Sequence, residues 1–164
     1  MPKNIRRFVI SLVIIAAIIV FDQIVKQWAS TVLADLPGQQ TAFIPGFMRL
    51  RYMRNTGAAF SLFSNATWIL GLISAVLAGV IIWFLWRGRN NGSKLFQISL
   101  AFIAGGALGN VIDRFRLGYV VDMLEFDFVQ FAIFNVADSF VCVGAVLFAI
   151  YVLIHNSAPE KKSA

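Results

Sequence analysis

The stretch Thr67-Trp68-Ile69-Leu70-Gly71-Leu72-Ile73-Ser74-Ala75-Val76-Leu77-Ala78-Gly79-Val80-Ile81-Ile82-Trp83-Phe84-Leu85-Trp86 runs 20 residues without a charged side chain. As a helix rising about 1.5 Å per residue it reaches about 30 Å, the thickness of a bilayer's hydrocarbon core. Three further apolar runs flank it. Phe8–Phe21 is uncharged and continues as Asp22-Gln23-Ile24-Val25-Lys26-Gln27-Trp28; Leu95–Ile112 is uncharged and rich in Gly and Ala; Ser139–Ile154 is uncharged and follows Asp138. The pattern predicts an all-α integral membrane protein with four transmembrane helices at about 8–27, 67–86, 95–112 and 138–154. They form a single membrane domain over 1–164, with outer loops at 28–66 and 113–137.

Composition agrees. Of the 164 residues, 59% are hydrophobic and 13% charged, with a mean hydropathy of +0.78. Soluble domains are about 45–50% apolar and about 25% charged, and a chain this small has too little interior to hide such an excess. A soluble enzyme and a disordered regulator are therefore excluded. One cysteine, Cys142, rules out an internal disulfide or a Cys-x-x-Cys site, and with His155 as the single histidine no thiolate/imidazole zinc centre can be assembled. The net charge of +6 belongs to loops facing anionic lipid rather than to nucleic acid.

Lys and Arg concentrate on the inner side of the chain. With the N-terminus inside, Lys3, Arg6, Arg7, Arg87, Arg89, Lys94, Lys161 and Lys162 fall in short inner segments, whereas the much longer outer segments hold Arg49, Arg51, Arg54, Arg114 and Arg116. This predicts an N-in, C-in topology. The basic, apolar start resembles a signal peptide, but Asp22 and Lys26 follow directly and three spans come later, so the first helix is expected to be retained. Cys142 lies within the fourth span, after Phe140 and Val141, and is expected to pack in the core. In the first outer loop Phe43-Ile44-Pro45-Gly46 carries turn chemistry, and Met48-Arg49-Leu50-Arg51-Tyr52 alternates apolar and basic. A small extracytoplasmic β element between the first two helices is expected there, its arginines meeting lipid phosphates.

Polar side chains near a bilayer are candidates for function. Asp22, Asn55-Thr56-Gly57, Asn110, Asp113, Arg114, Asp122, Asn135 and Asp138 come from separate segments, yet the topology puts them all near the outer interface. Each has a plainer reading. Asp22 and Lys26, four apart, make an ion pair; Asn135 is an N-cap for the fourth helix; Gly105 and Gly109 form a Gly-x-x-x-Gly packing motif; Asp113–Arg114 anchors an interface. Glu125 and Asp127 read as solvated loop charges. Asp122 and Asp138 are harder to dismiss, since both flank the apolar stretch Phe126–Phe134 and bare carboxylates there are unfavourable. Two aspartates sharing one proton supply a general base for water and an acid for a carbonyl. The 16-residue interval permits the two to meet without requiring it.

These residues resemble the lipoprotein signal peptidase (signal peptidase II) family. Asp22-Gln23-x-x-Lys26, Asn55-Thr56-Gly57-Ala58-Ala59-Phe60, Gly105-Gly106-Ala107-Leu108-Gly109-Asn110-x-x-Asp113-Arg114, Val120-Val121-Asp122 and Phe134-Asn135-Val136-Ala137-Asp138 occur in that family's order. The resemblance implies a bacterial inner-membrane aspartyl endopeptidase, working as a monomer without metal or organic cofactor. It would remove signal peptides from diacylglyceryl-modified prolipoproteins just before the lipidated cysteine, in contact with membrane lipids. Asp122 and Asp138 would be catalytic. Asn110, Arg114 and Asn135 would orient the pair and the substrate backbone; Asn55 and Gly57 would line the site, with Asp22 and Lys26 bracing it. Gly105, Gly109, Asp113 and Ala137, within the same blocks, would support it. Met123 stands where the family suggests a larger side chain. The competing class is a proton- or cation-coupled transporter or channel subunit; a purely structural subunit leaves the polar cluster unexplained.

Overall fold

In the computed structural model, residues 3–57, 67–90 and 93–156 are described. Ala58–Phe60 of the second motif, and Lys161 and Lys162, lie outside them. Four helices, α1 (Lys3–Thr31), α2 (Thr67–Arg87), α3 (Lys94–Leu117) and α4 (Val136–Asn156), are each long and apolar enough to cross a membrane. Their outer faces stay apolar and exposed, as at Val13, Ile24, Trp68, Leu72, Val146 and Leu153, which suits lipid rather than water.

α3 is the centre of the bundle and packs against the other three helices. Ser93 Oγ accepts the Phe96 N–H at its start, and Gly118, at φ 78°, returns its N–H to Arg114 O at its end. The helix core gathers Ile15, Leu85, Leu100, Ala101 and Ala104. Gly105 rests on Ile18, and Gly106 meets the Ala137 carbonyl so closely that a Cβ would clash. Small residues thus bring α1 and α4 onto α3.

Three of the helices outrun the expected ranges. α1 continues past 27 to Thr31, α3 past 112 to Leu117, and α4 begins at Val136. Asp113 pairs with Lys26 inside the bundle, so the polar end of α3 remains helical instead of breaking into loop.

One end of the bundle carries an antiparallel sheet in the order β1 (Gln40–Ile44), β2 (Met48–Asn55), β3 (Val120–Phe126). The expected β element between α1 and α2 is therefore only part of it: the third strand comes from the connection between α3 and α4. Leu124 and Phe134 exchange backbone hydrogen bonds of 2.8 and 3.0 Å, folding the returning segment back on β3. Ala29, Leu33, Tyr52, Val121 and Met123 form a second core joining the sheet to the end of α1, where Met123 is fully buried.

Three expectations are corrected here. Glu125 lies on β3 and pairs with Arg49 and Arg51, and Asp127 also meets Arg49, so neither is a free loop charge. Arg49 and Arg51 are thereby engaged by carboxylates, while Arg54 bonds the Tyr52 hydroxyl and stacks on Tyr119. Cys142 is exposed rather than packed in the core, because it borders a cavity instead of a neighbouring helix.

Candidate active site

At the end of the bundle that carries the sheet, residues from α1, β2, α3, β3 and α4 converge. Asn135 precedes α4 and takes both of its possible roles. Its Oδ1 accepts the Asp138 N–H at 2.9 Å, capping the helix. Its Nδ2 then faces the other way and donates to Asp122 Oδ1 at 2.7 Å and Asn110 Oδ1 at 3.0 Å. Asp138 stands in the first turn of α4; its Oδ2 accepts the Asn135 N–H at 3.1 Å and its Oδ1 accepts Asn110 Nδ2 at 2.7 Å.

Two other amides are fixed in the same way. Asn55 Oδ1 accepts the Gly57 N–H at 3.0 Å, leaving Nδ2 to donate to Asp122 Oδ2 at 2.9 Å. Asn110 Oδ1 accepts from Lys26 Nζ at 2.7 Å, leaving its Nδ2 for Asp138. Asn55, Asn110 and Asn135 thus hold both aspartates through amide groups whose orientation is set elsewhere.

Beneath them lies a buried ionic cluster. Lys26 Nζ sits 2.9 Å from Asp22 Oδ2 and 3.0 Å from Asp113 Oδ2, with all three side chains at most 3% exposed. The Asp22–Lys26 pair at four-residue spacing exists, but as part of this larger cluster. Asp22 Oδ1 accepts the Ala137 N–H at 3.0 Å, Asp113 Oδ2 accepts the Val121 N–H at 3.1 Å, and Gln23 Nε2 donates to Asp113 Oδ1 at 2.8 Å. Asp113 is accordingly a tie to β3, not a surface anchor. Gly109 leaves room for Asp22, since a Cβ there would stand 2.6 Å from Asp22 Oδ2.

Burial is the main influence pushing the Asp122 carboxyl up to about 7. The Asp138 charge adds to the rise; the bonds from Asn55 and Asn135 and the charge of Lys26 oppose it. A cavity of about 540 Å³ opens over both aspartates. Asn55, Asn110 and Arg114 contribute polar edges, and Phe126, Phe131–Phe134 and Val141–Val143 form its apolar walls. Among the described residues Arg114 Nε has no hydrogen-bond partner.

The residues singled out from sequence therefore gather into one site, with Gly105 a packing contact further from it. Gln23, bonded to Asp113, and Gly106, against the Ala137 carbonyl, are contacts that sequence reasoning does not single out, although both stand inside motif blocks beside residues that it does. Such a site offers two carboxylates, held by fixed donors, next to an apolar cavity at one end of the helix bundle.

The chain matches the family described as Signal peptidase (SPase) II over residues 14–154. A lipoprotein signal peptidase of Streptococcus agalactiae serotype V is 45% identical over 145 residues, 88% of this chain and 92% of that one. One of Streptococcus pyogenes serotype M5 is 41% identical over the same length, covering 88% and 91%. Among solved structures, a bacterial membrane enzyme determined by the in meso method at 2.3 Å resolution superposes with a TM-score of 0.82, at 29% identity over 94% of this chain and 93% of its own. A second, at 1.9 Å resolution, gives 0.75 at 29% identity, covering 87% and 92%. With its fold, its ordered motifs and these relatives in agreement, the chain belongs to the signal peptidase II family.

Proposed function

We propose that this protein is the membrane-embedded aspartyl endopeptidase of its family's reaction, removing the signal peptide from diacylglyceryl-modified prolipoproteins by cleaving before the lipidated cysteine. The observation that carries the reading is the pair Asp122 and Asp138, joined through Asn110 and Asn135 at the floor of one apolar-walled cavity. Family membership does not favour the transporter alternative.

In the proposed reaction Asp122 holds the shared proton, consistent with its raised pKa, and donates a hydrogen bond to the scissile carbonyl oxygen. Asp138, in the first turn of α4 where the helix dipole favours an anion, takes a proton from water as that water's oxygen attacks the carbonyl carbon. Asp122 protonates the carbonyl oxygen, giving a neutral tetrahedral diol. Asp138 then passes its proton to the amide nitrogen, the C–N bond breaks, and a hydroxyl proton returns to Asp122. Arg114, with an unused Nε donor, orients the substrate backbone. Asn55 and Gly57 line the site, and Lys26, Asp22 and Asp113 brace it. No step calls for a metal or organic cofactor.

The placement proposed with this chemistry is the bacterial inner membrane, both termini and residues 87–94 inside and the site at the outer face. There a monomeric, single-domain enzyme meets its lipidated substrate by lateral diffusion through the surrounding lipid. The test is cleavage of a diacylglyceryl-modified prolipoprotein peptide by the purified protein. Asp122→Asn and Asp138→Asn are each expected to abolish turnover while the protein stays folded, and the double variant to be no worse than either, because the pair acts as a unit. Cleavage at the native rate by either single variant overturns the assignment.

A further inference from the structure

β1 stops short of the site and leaves part of β2 without a neighbour. The two strands pair from Ile44 opposite Met48 to Gln40 opposite Arg51. β2 continues through Tyr52, Met53, Arg54 and Asn55 with β3 on its other side, Met53 opposite Asp122 and Asn55 opposite Val120. Among the described residues no strand lies against Tyr52–Asn55 on the β1 side. The chain entering β1 departs from the strand direction at Gly38 and Gln39, whose φ values are 68° and 55°. The left-handed region is uncommon for a glutamine, and here it opens the edge instead of extending β1 along it.

Beside this edge is a cleft of about 360 Å³. It is lined by Gln39, Arg51, Met53, Asn55 and Phe131–Ile133. Asn55 and Phe131–Ile133 also line the cavity above the two aspartates, so the cleft leads directly from the dyad. Its character changes along the way. The dyad cavity is walled by phenylalanines and by valines of α4, whereas the cleft adds Gln39, Arg51 and Tyr52 to the wall of Phe131–Ile133 that the two share.

We propose that the open edge of β2 at Tyr52–Asn55 binds the mature side of the substrate, the extended segment C-terminal to the scissile bond, as an added strand. This deepens the reading of Asp122 and Asp138 as the cleaving pair and rests on it. Unpaired strand edges recruit extended peptides through main-chain hydrogen bonds. Asn55 fixes the direction, since it bonds Asp122 at one end of the edge. A substrate leaving the dyad toward Arg51 runs N to C against β2, antiparallel to it and in line with β1. Four residues at about 3.3 Å each give about 13 Å of strand. The polar mature segment thereby enters the polar cleft, while the apolar signal half remains in the walled cavity and lipid.

The test uses the full-length protein in detergent and lipidated prolipoprotein peptides of two lengths, one ending at the modified cysteine and one carrying four further residues. A series of the longer peptide is N-methylated at each of these four positions in turn. In an antiparallel strand every second amide faces the neighbour. Methylation is therefore expected to lower kcat/KM at alternate positions only, by roughly threefold to tenfold each, the scale of one main-chain hydrogen bond. The short peptide is expected to be cleaved more slowly than the long one. Equal cleavage of both lengths, or methylation effects without alternation, overturns the strand-addition proposal, including the case in which another segment or a second copy occupies the edge. Failure to cleave even the unmodified long peptide counts instead against the dyad reading.

Discussion

Lys26 Nζ donates to Asn110 Oδ1 at 2.7 Å, and that bond determines which end of the Asn110 amide faces Asp138. A cation on α1 thereby sets the hydrogen bonding of a carboxylate on α4 that it does not touch. The same ammonium neutralises part of the charge of Asp22 and Asp113.

Lys26→Met leaves two buried carboxylates without their cation and the Asn110 amide free to turn. Removing one partner from a buried ionic cluster is expected to destabilise by about 3–5 kcal/mol. Thermal unfolding in detergent measures the loss. Activity should fall further than the folded fraction accounts for. Asp22→Asn, which keeps an acceptor for the Ala137 N–H, should be milder in both respects.

Asn135→Ala separates the capping role from the positioning role. Loss of the cap lowers stability by about 1 kcal/mol, whereas Asp122 loses a 2.7 Å donor and Asn110 a 3.0 Å one. Cleavage is expected to fall roughly a hundredfold, the scale of a reacting group displaced by about 1 Å. Asn135→Ser restores the cap alone and should recover stability without recovering rate. Calorimetry and single-turnover cleavage read the two effects separately.

Alanine at the α3 glycines should give three different outcomes. At Gly106 it meets backbone, the Ala137 carbonyl, and is expected to force α4 away at about 1–3 kcal/mol. At Gly109 it meets the Asp22 carboxylate and is expected to reduce activity more than stability. At Gly105 it stands 3.0 Å from Ile18 Cβ, a contact that a small helix shift relieves, and should be the best tolerated. Unfolding temperature and peptide cleavage, measured together, rank them.

The pH dependence follows from Asp122. Its carboxyl lies at about 7 in the folded protein against 3.8 for a free one, so folding favours the protonated form. That contribution to stability is full below about 4 and is lost as the pH rises to about 7. Unfolding temperature should decline across this window in the native protein, and less steeply in Asp122→Asn. Cleavage by a pair sharing one proton should fall on both sides of an optimum, with an alkaline limb near pH 7. A rate that climbs steadily with pH instead indicates a lysine base.

The spans were legible because hydropathy alone defines them, and their ends were not, because helix continuation there depends on burial. Gln23 and Lys26 bond to α3 and Asp22 to the Ala137 N–H of α4, contacts that hold the polar end of α1 in the bundle and that hydropathy does not reveal. The gathering of Asn55, Asn110, Asp122, Asn135 and Asp138 could be read from motif order and topology, whereas their amide orientations depend on distant contacts such as Lys26 and Gly57. β3 carries no alternating signal in the sequence, because Val120–Phe126 has all but its last three residues buried, which erases the pattern that marks a half-exposed strand. Glu125 and Asp127 looked like loop charges for the same reason, since their partners Arg49 and Arg51 lie more than seventy residues earlier.

The bond from the Ala137 N–H to Asp22 Oδ1 joins residues 115 positions apart, one in the first membrane helix and one in the last. During biosynthesis α4 emerges after α1, α2 and α3, and Asp138 arrives with it. On the proposed chemistry a nascent chain holding only three helices has Asp122 without its partner and Asp22 without the Ala137 amide. Proteolytic competence would therefore appear only once α4 has inserted, which spares neighbouring nascent chains from a half-built peptidase.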